Sequence, residues 1–311
     1  MIDIIIVNWN SGKLLSDCID SIESDNIENI GKIIVVDNHS RDQSEVLCNQ
    51  STKVVVVKNP KNYGFAKSCN IGAMYCDSEF ILFLNPDTVL FPNSLSETLK
   101  FMRRNANQNI GITGIQLLDS HGTIARHSSD FPTPFSFFIR STGIHKIFLS
   151  LDHVSSDWDH DQTKEVSHVI GAYFFVRRKL YDQLEGFDER FFIYLEDLDF
   201  SVRAKALGFS TYFISSIQSM HIGGGVSRKI KAKRLFYSLR SRIIYSYKHF
   251  DFLSSTAIMM SVIFIEPISR IVFSIKNYSF ASIKNLFKAY TLLLKWLYIW
   301  IPDQISKNLG R

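Results

Sequence analysis

The chain of 311 residues lacks both glycine-rich phosphate cradles. No G-x-G-x-x-G follows its first strand-like run, where Gly12 stands alone, and no G-x-x-x-x-G-K-[ST] occurs. These absences disfavour a nicotinamide-dependent oxidoreductase and a P-loop nucleotide binder. A diphosphate held here needs a metal ion or basic side chains instead. Cysteine is scarce: Cys18, Cys48, Cys69 and Cys76 form no CxxC pair, which points away from zinc and disulfides and towards a reducing, cytosolic compartment. The opening run IDIIIVN has no basic region or cleavage site, so no signal peptide is expected. The charge-free run Phe252–Ile265 has 14 residues before Glu266-Pro267 interrupts it, short of the roughly 20 that cross a bilayer.

What is present suffices for a large core, with 46% hydrophobic residues, enough for one large α/β domain plus an appendage or for two domains. The net charge of +5 hides an asymmetry. From Arg228 onward 15 Lys and Arg face 3 Asp and Glu, a net +12, which leaves 20 against 27, or −7, before it. An acidic body with a basic, aromatic and apolar tail fits a membrane surface better than nucleic acid.

The first hundred residues alternate between two patterns. Ile2–Asn8, Lys32–Asp37, Val54–Lys58 and Phe80–Asn85 are short runs rich in Val and Ile, as expected of strands buried on both faces of a parallel sheet. Helical segments are expected near Lys13–Ser24, Gln43–Gln50, Gly64–Tyr75 and Ser94–Arg104, the last with a capping box in Ser94-Leu95-Ser96-Glu97. Repeated βα units predict a doubly wound sheet with ligands at the carboxyl ends of its strands. Those ends read Asn8-Trp9-Asn10-Ser11-Gly12, Asp37-Asn38-His39-Ser40 and Asn85-Pro86-Asp87-Thr88. Each is also an ordinary turn sequence; three together make a polar, partly acidic cleft. Asp87 is the natural ligand for Mg2+ or Mn2+, which prefer carboxylate oxygens.

Further along, Ile110–Leu118 is strand-like, Asp119–Gly122 a hairpin turn, and Phe131–Leu151 an irregular aromatic loop ahead of the solvated acidic stretch Asp152–Asp161. A strand is expected at Val169–Arg177, where small Gly171 and Ala172 permit close approach to a ligand. In GFDERFFIYLEDLDFSVRAKALG, Glu196, Asp197 and Asp199 stand ahead of a helix ending at Gly208. A carboxylate beside bulky apolar residues can serve as a general base. Acidic residues also suit a helix start for structural reasons, and Asp199 to Arg203 is an i,i+4 ion pair. His221, followed by Gly223-Gly224-Gly225 after Ile222, lies on a bendable loop suited to metal or phosphate contact.

The runs IIIVNWNSG, IVVDNHSRDQS, NPKNYGFAKSCNIG, FILFLNPDT, GFDERFFIYLEDLDFSVRAKALG and HIGGGVS, in that order, resemble bacterial glycosyltransferase family 2, above all its rhamnosyltransferase-like branch. The resemblance covers about residues 2–250. It implies a GT-A type, Rossmann-like doubly wound mixed α/β sheet, a nucleotide-sugar donor, a divalent metal (Mg2+ or Mn2+) and inversion at the anomeric carbon. Residues 1–110 become the nucleotide-sugar half, 111–227 the acceptor and catalytic half, and 228–311 a basic amphipathic tail. Asp37 is implied to contact the nucleoside, with Asn8 and Asn10 near base and ribose and Lys67 and Asn70 near base and diphosphate. Asn85-Pro86-Asp87 stands at the family's Asp-x-Asp, its first Asp replaced by Asn, so Asp87 carries most of the metal binding, with His221 a further ligand. Asp197 matches the catalytic base, and Glu196 is the next candidate. The branch suggests a dTDP-rhamnose donor, with UDP-sugars as the other choice, and a lipid-linked saccharide acceptor for O-antigen or capsule synthesis. A catalytically inactive GT-A-like scaffold is the alternative.

The tail is read from its own pattern. Phe236, Leu239, Ile243, Tyr247 and Phe250 recur at helical spacing, so Arg234–Phe250 is expected to pack against the catalytic body. In Lys284–Trp300 the lysines 284, 288 and 295 share one side of a helix. Leu286, Leu293, Trp296, Leu297 and Trp300 occupy much of the remainder. That suits a helix lying in the headgroup region, or one packed on this protein or a second subunit of a homo-oligomer. The expected site of action is the cytoplasmic face of the plasma membrane.

Overall fold

The computed structural model describes residues 1–25, 27–48, 52–125, 128–143, 159–223 and 230–309. It divides into two compact units, one of residues 1–131 and 153–226, the other of 132–152 and 227–311.

In the first unit, alternation of Ile and Val builds the sheet. Strand β1 (Ile2–Asn8) sends Ile2, Ile4 and Ile6 to one apolar cluster and Ile5 and Val7 to another, so both faces are buried. It pairs in parallel with β2 (Ile30–Asp37) and β4 (Phe80–Leu84), and β2 with β3 (Val54–Lys58). Beyond β4 the order continues through β10 (Tyr173–Arg177), β6 (Ile110–Leu118) and β11 (Ser210–His221) to the short β5 (Thr88–Leu90). β10 runs antiparallel to β4 and β6, whereas β6 and β11 are parallel. β8 (Lys164–Val166) pairs with β11, and β7 (Ser128–Ser129) pairs apart with β9 (His168–Val169). Helices α1 (Lys13–Ser24) and α3 (Ser94–Arg103) bury Leu15, Ile19, Leu95 and Leu99 in the first cluster. Helices α2 (Phe65–Ala73), α5 (Arg178–Gln183) and α6 (Glu196–Ala206) cover the other face through Cys69, Leu180 and Phe200. The sheet is doubly wound and mixed.

Three local expectations are corrected here. The Ser94–Glu97 capping box does not form: Asn93, with φ +67°, precedes the helix, and Ser94 Oγ donates instead to the carbonyls of Phe91 and Gln218. Glu97 pairs with Lys100 at 2.7 Å. The segment Gln43–Gln50 holds only a 3-10 turn, Ser44–Cys48, and residues 49–50 lie outside the described residues. The loop expected at Phe131–Leu151 contains a helix, α4 (Pro134–Thr142), opened by a capping box between Thr133 and Ser136; residues 144–151 lie outside the described residues. Ser at the third helical position does there what Glu or Gln does more often.

The second unit is helical. α7 (Lys231–His249) packs with α8 (Phe252–Met260) and α10 (Phe280–Leu309), burying Leu239, Ile243, Ile244 and Tyr245. The neighbours of α7 in this unit are thus other helices of the tail together with α4, whose Phe137 ring meets that of Tyr245 at 5.7 Å. α8 does not stop at Glu266-Pro267. It continues through a π turn, Ser261–Ile265, into α9 (Glu266–Lys276), giving one apolar helix of 25 residues, Phe252–Lys276, long enough to cross a membrane. A proline ring collides with the carbonyl four residues back and supplies no N–H, and a widened turn just ahead of Pro267 absorbs both defects.

Candidate active site

The carboxyl ends of β1, β2, β4 and β11 lie on one edge of the sheet; β10 runs the other way, so its start joins them. Two cross-linked groups occupy that edge. Asn8 and Asp37 are register partners, and Asn8 Nδ2 donates to Asp37 Oδ1 at 2.9 Å and Ser44 Oγ at 2.8 Å. The other Asp37 oxygen accepts from the Ser40 amide at 3.1 Å. Asn10, with φ +52°, donates its N–H to Ser40 Oγ and accepts from the Arg41 amide. Asn8, Asn10 and Asp37 are therefore brought together. Ser40 and Ser44, which carried no expectation, bind them; the DNHSRDQS run already contains both.

The second group surrounds Asp87 and Asp197. Asp87 Oδ1 lies 3.2 Å from His221 Nε2, with both side chains nearly buried. β5 brings them together: Thr88 is the register partner of His221, and the Ile222 amide donates to the Asp87 carbonyl. The carbonyl of Ala172 accepts from the Asn85 amide and from Thr88 Oγ1, both at 3.2 Å. One residue earlier, the Gly171 amide donates to Asp197 Oδ2 at 2.8 Å. Gly171-Ala172 is thus a backbone bridge between the Asn85–Thr88 turn and Asp197. The Asp87 carboxylate suits Mg2+ or Mn2+, and the His221 imidazole adds a nitrogen donor that Mg2+, an oxygen-preferring ion, takes less readily. No cluster of three His, Cys, Asp or Glu is present among the described residues. Mg2+ usually keeps several waters and takes substrate phosphates, so a two-residue donor set fits it. Gly224 and Gly225 lie outside the described residues.

The three acids of α6 differ sharply, and all sit in its first turn rather than ahead of it. Two successive residues with positive φ, Tyr194 at +71° and Leu195 at +67°, lead into that turn, a strained approach of the kind found at functional sites. Glu196 is buried; burial pushes its carboxyl well above the usual carboxylate range, and the Asp197 charge adds to this. For Asp197 burial acts upward too, but His168 beside it and the Gly171 and Leu198 amides outweigh it and hold the carboxyl below its ordinary value. Its side chain keeps 15% exposure. The two neighbouring carboxyls are thus pushed in opposite directions, Glu196 up and Asp197 down. Asp199 is structural: it pairs with Arg203 at 2.9 Å, and that guanidinium also donates to the carbonyls of Leu184 and Gly186.

Lys67 and Asn70 sit at a different place, on α2 against the loop before α6. Lys67 pairs with Glu189 at 2.8 Å. Asn70 spends both ends of its amide on Tyr181, Phe187 and Glu189. Gly64, with φ +87°, lets this helix start against the Phe192 carbonyl, which accepts from the Phe65 amide at 2.6 Å; a side chain there would collide with that oxygen.

The arrangement is that of a GT-A glycosyltransferase. A mannosyltransferase of Pyrobaculum calidifontis, solved with GDP-Man and Mn2+, superposes with a TM-score of 0.55 at 11% identity, over 94% of this chain and 86% of its own. The profile described as glycosyl transferase family 2 matches residues 3–184, and the chain belongs to that family. It is similar to the rhamnosyltransferase WbbL of Escherichia coli K12, at 25% identity over 274 residues, covering 82% of this chain and 98% of the relative. An N-acetylglucosaminyl-diphospho-decaprenol L-rhamnosyltransferase of Mycobacterium tuberculosis is 24% identical over 209 residues, covering 61% of this chain and 66% of the relative.

Proposed function

We propose that the protein is an inverting, metal-dependent glycosyltransferase of surface polysaccharide synthesis that moves rhamnose from dTDP-rhamnose to a lipid-linked saccharide. The observation that carries this reading is the backbone bridge of Gly171-Ala172, which ties Asp197 to the turn bearing Asp87 and, through β5, to His221. A base and a leaving-group site held by one rigid segment suit an in-line displacement, in which alignment itself supplies much of the rate.

Asp37, with Asn8 and Asn10, holds the nucleoside. Asp87 and His221 would hold a divalent ion, which would supply positive charge next to the departing diphosphate. Asp197 takes the proton of an acceptor hydroxyl as that oxygen bonds to the anomeric carbon. On the opposite face the bond to the diphosphate breaks and its electron pair leaves with the nucleotide. One displacement inverts the configuration. The mycobacterial relative's name suggests an N-acetylglucosaminyl-diphospho-polyprenol as acceptor.

The helical unit suits a peripheral place on the cytoplasmic face of the membrane. Its lipid-facing residues differ from those expected. Leu286, Leu293 and Leu297 are buried in the unit, Trp296 lies under Arg240, and the Trp300 ring meets that of Tyr247. The exposed apolar residues are instead Leu253, Met260, Phe264, Ile268 and Val272 on α8–α9, and Phe287, Leu294 and Tyr298 on α10, beside the exposed lysines 284, 288 and 295. The helix Phe252–Lys276 carries at its middle Glu266, buried and bonded to Arg242 of α7 at 2.7 Å and to Arg270. A spanning helix seldom carries such an ion pair at its middle, so lying in the interface fits better.

The test is release of nucleoside diphosphate from dTDP-rhamnose and a panel of UDP-sugars, with Mn2+ or Mg2+ and a diphospho-polyprenol acceptor. Release from one donor that depends on the acceptor supports the reading. No release from any donor favours the inactive scaffold.

A further inference from the structure

His168 lies in β9 three residues before Gly171, so one short segment reaches Asp197 twice. Gly171 donates to Oδ2, and His168 Nε2 stands 3.5 Å from Oδ1, which also accepts from the Leu198 amide at 2.8 Å. The His168 side chain is nearly buried, and β9 is fixed by pairing with β7. A buried imidazole next to the carboxylate of a polar edge is costly to keep unless it bonds there. No spacing in the sequence announces it.

Resting on the reading of Asp197 as base, we propose that His168 is a positioning residue of the transfer reaction: its Nε2 faces Asp197 Oδ1 and fixes the carboxylate's rotation towards the acceptor hydroxyl. The ionisable groups facing Asp197 are His168 from β9, Glu196 on its own helix and Cys69 from α2. Burial opposes ionisation of Asp197, and His168 favours it. Removing His168 therefore raises the pH at which Asp197 loses its proton. The proton itself passes from the acceptor hydroxyl to Asp197 and no further group is required.

The experiment compares His168→Leu and His168→Gln with the wild type and Asp197→Asn. Turnover is measured against pH with dTDP-rhamnose, or with the UDP-sugar that releases most diphosphate, and folding is checked by thermal unfolding. His168→Leu is expected to lower kcat by roughly 10-fold, the low end of the worth of a hydrogen bond to a charged group, since Nε2 stands 3.5 Å from Oδ1. Its donor KM should be unchanged and the acid limb of its kcat profile should move to higher pH. His168→Gln, which keeps a donor N–H, is expected to recover most of the rate. A uniform loss with the limb unmoved, or equal loss in both variants, means that His168 only fills space and overturns the proposal. Wild-type turnover by Asp197→Asn overturns the base reading beneath it, and the two failures are told apart by that variant.

Discussion

The two units of this chain bury their apolar residues by different rules. In the first, runs such as Ile4–Val7 and Phe80–Leu84 are apolar on both faces, and β1 keeps its polar side chains, Asp3 and Asn8, near its two ends. Asn8, Asp37 and Asp87 stand at the carboxyl ends of strands, where such sheets bind ligands. In the helical unit no such edge exists. Each helix divides its residues between a buried face and an exposed one, and charge sits wherever a partner can reach it, as Glu266 shows. A sheet site is therefore a property of chain order, whereas a helical surface is a property of rotation.

Breaking the first half of that contrast should have the largest effect. Asp87→Ala is expected to abolish transfer, and chelation with excess EDTA should silence the wild type in the same way; full activity in EDTA contradicts a metal-held leaving group. His221→Ala should act more mildly, by weakening the ion's grip, so that added Mn2+ partly restores diphosphate release.

The second half is broken at Glu266. Burial pushes this carboxyl up, but Arg242 and Arg270 outweigh it and hold it below its usual value. The pair's contribution is thus complete above the unfolded carboxyl's pKa, near pH 4.3, and is lost as pH falls through the lower folded value. Arg242→Met, leaving the buried acid with Arg270 as its remaining charged partner, should cost about 1.5–3 kcal/mol, read by urea unfolding at pH 7. Towards acid pH that deficit should shrink as Glu266 protonates. An undiminished deficit at acid pH would show that the arginine's stem, not its charge, is what matters.

Smaller effects are expected on the outer surface. Phe264→Glu or Ile268→Glu should weaken binding to anionic liposomes by about 1.5–3 kcal/mol each, the worth of a fully buried large apolar side chain. Replacing lysines 284, 288 and 295 by Gln should cost about 1 kcal/mol apiece near such a surface, and only at low salt. Equal sedimentation of every variant assigns the apolar stripe to another partner, such as a second copy.

These differences also mark what could be read from residues alone. β1 and β6 fall where apolar runs place them, because burial on both faces leaves little freedom; β3, half-buried at the sheet edge, and α1, buried on one side, keep their expected places through pattern alone. The capping box at Ser94 failed because a buried serine found carbonyls nearer than its own helix start. The exposed apolar residues of α10 could not be told from the buried ones because a helical wheel separates apolar from polar, not buried apolar from exposed apolar; Leu293 and Leu294 are adjacent and one of each. His168 was invisible because its role depends on where β9 passes, and a lone histidine in VSHV carries no pattern. The Asp197–Gly171 bond likewise joins residues 26 apart in the sequence.

The central claim is that Asp197, rather than the neighbouring Glu196, is the base at the strand-end site. Asp197→Asn keeps the shape of the side chain but cannot take a proton. Turnover of the nucleotide-sugar donor should fall by roughly 10²–10⁴-fold, while donor affinity measured by calorimetry stays within about twofold, since binding loses far less than one tenfold step of 1.4 kcal/mol. Turnover of the Asn variant at the wild-type rate, with the donor bound as tightly, would contradict the account and move the base to another residue.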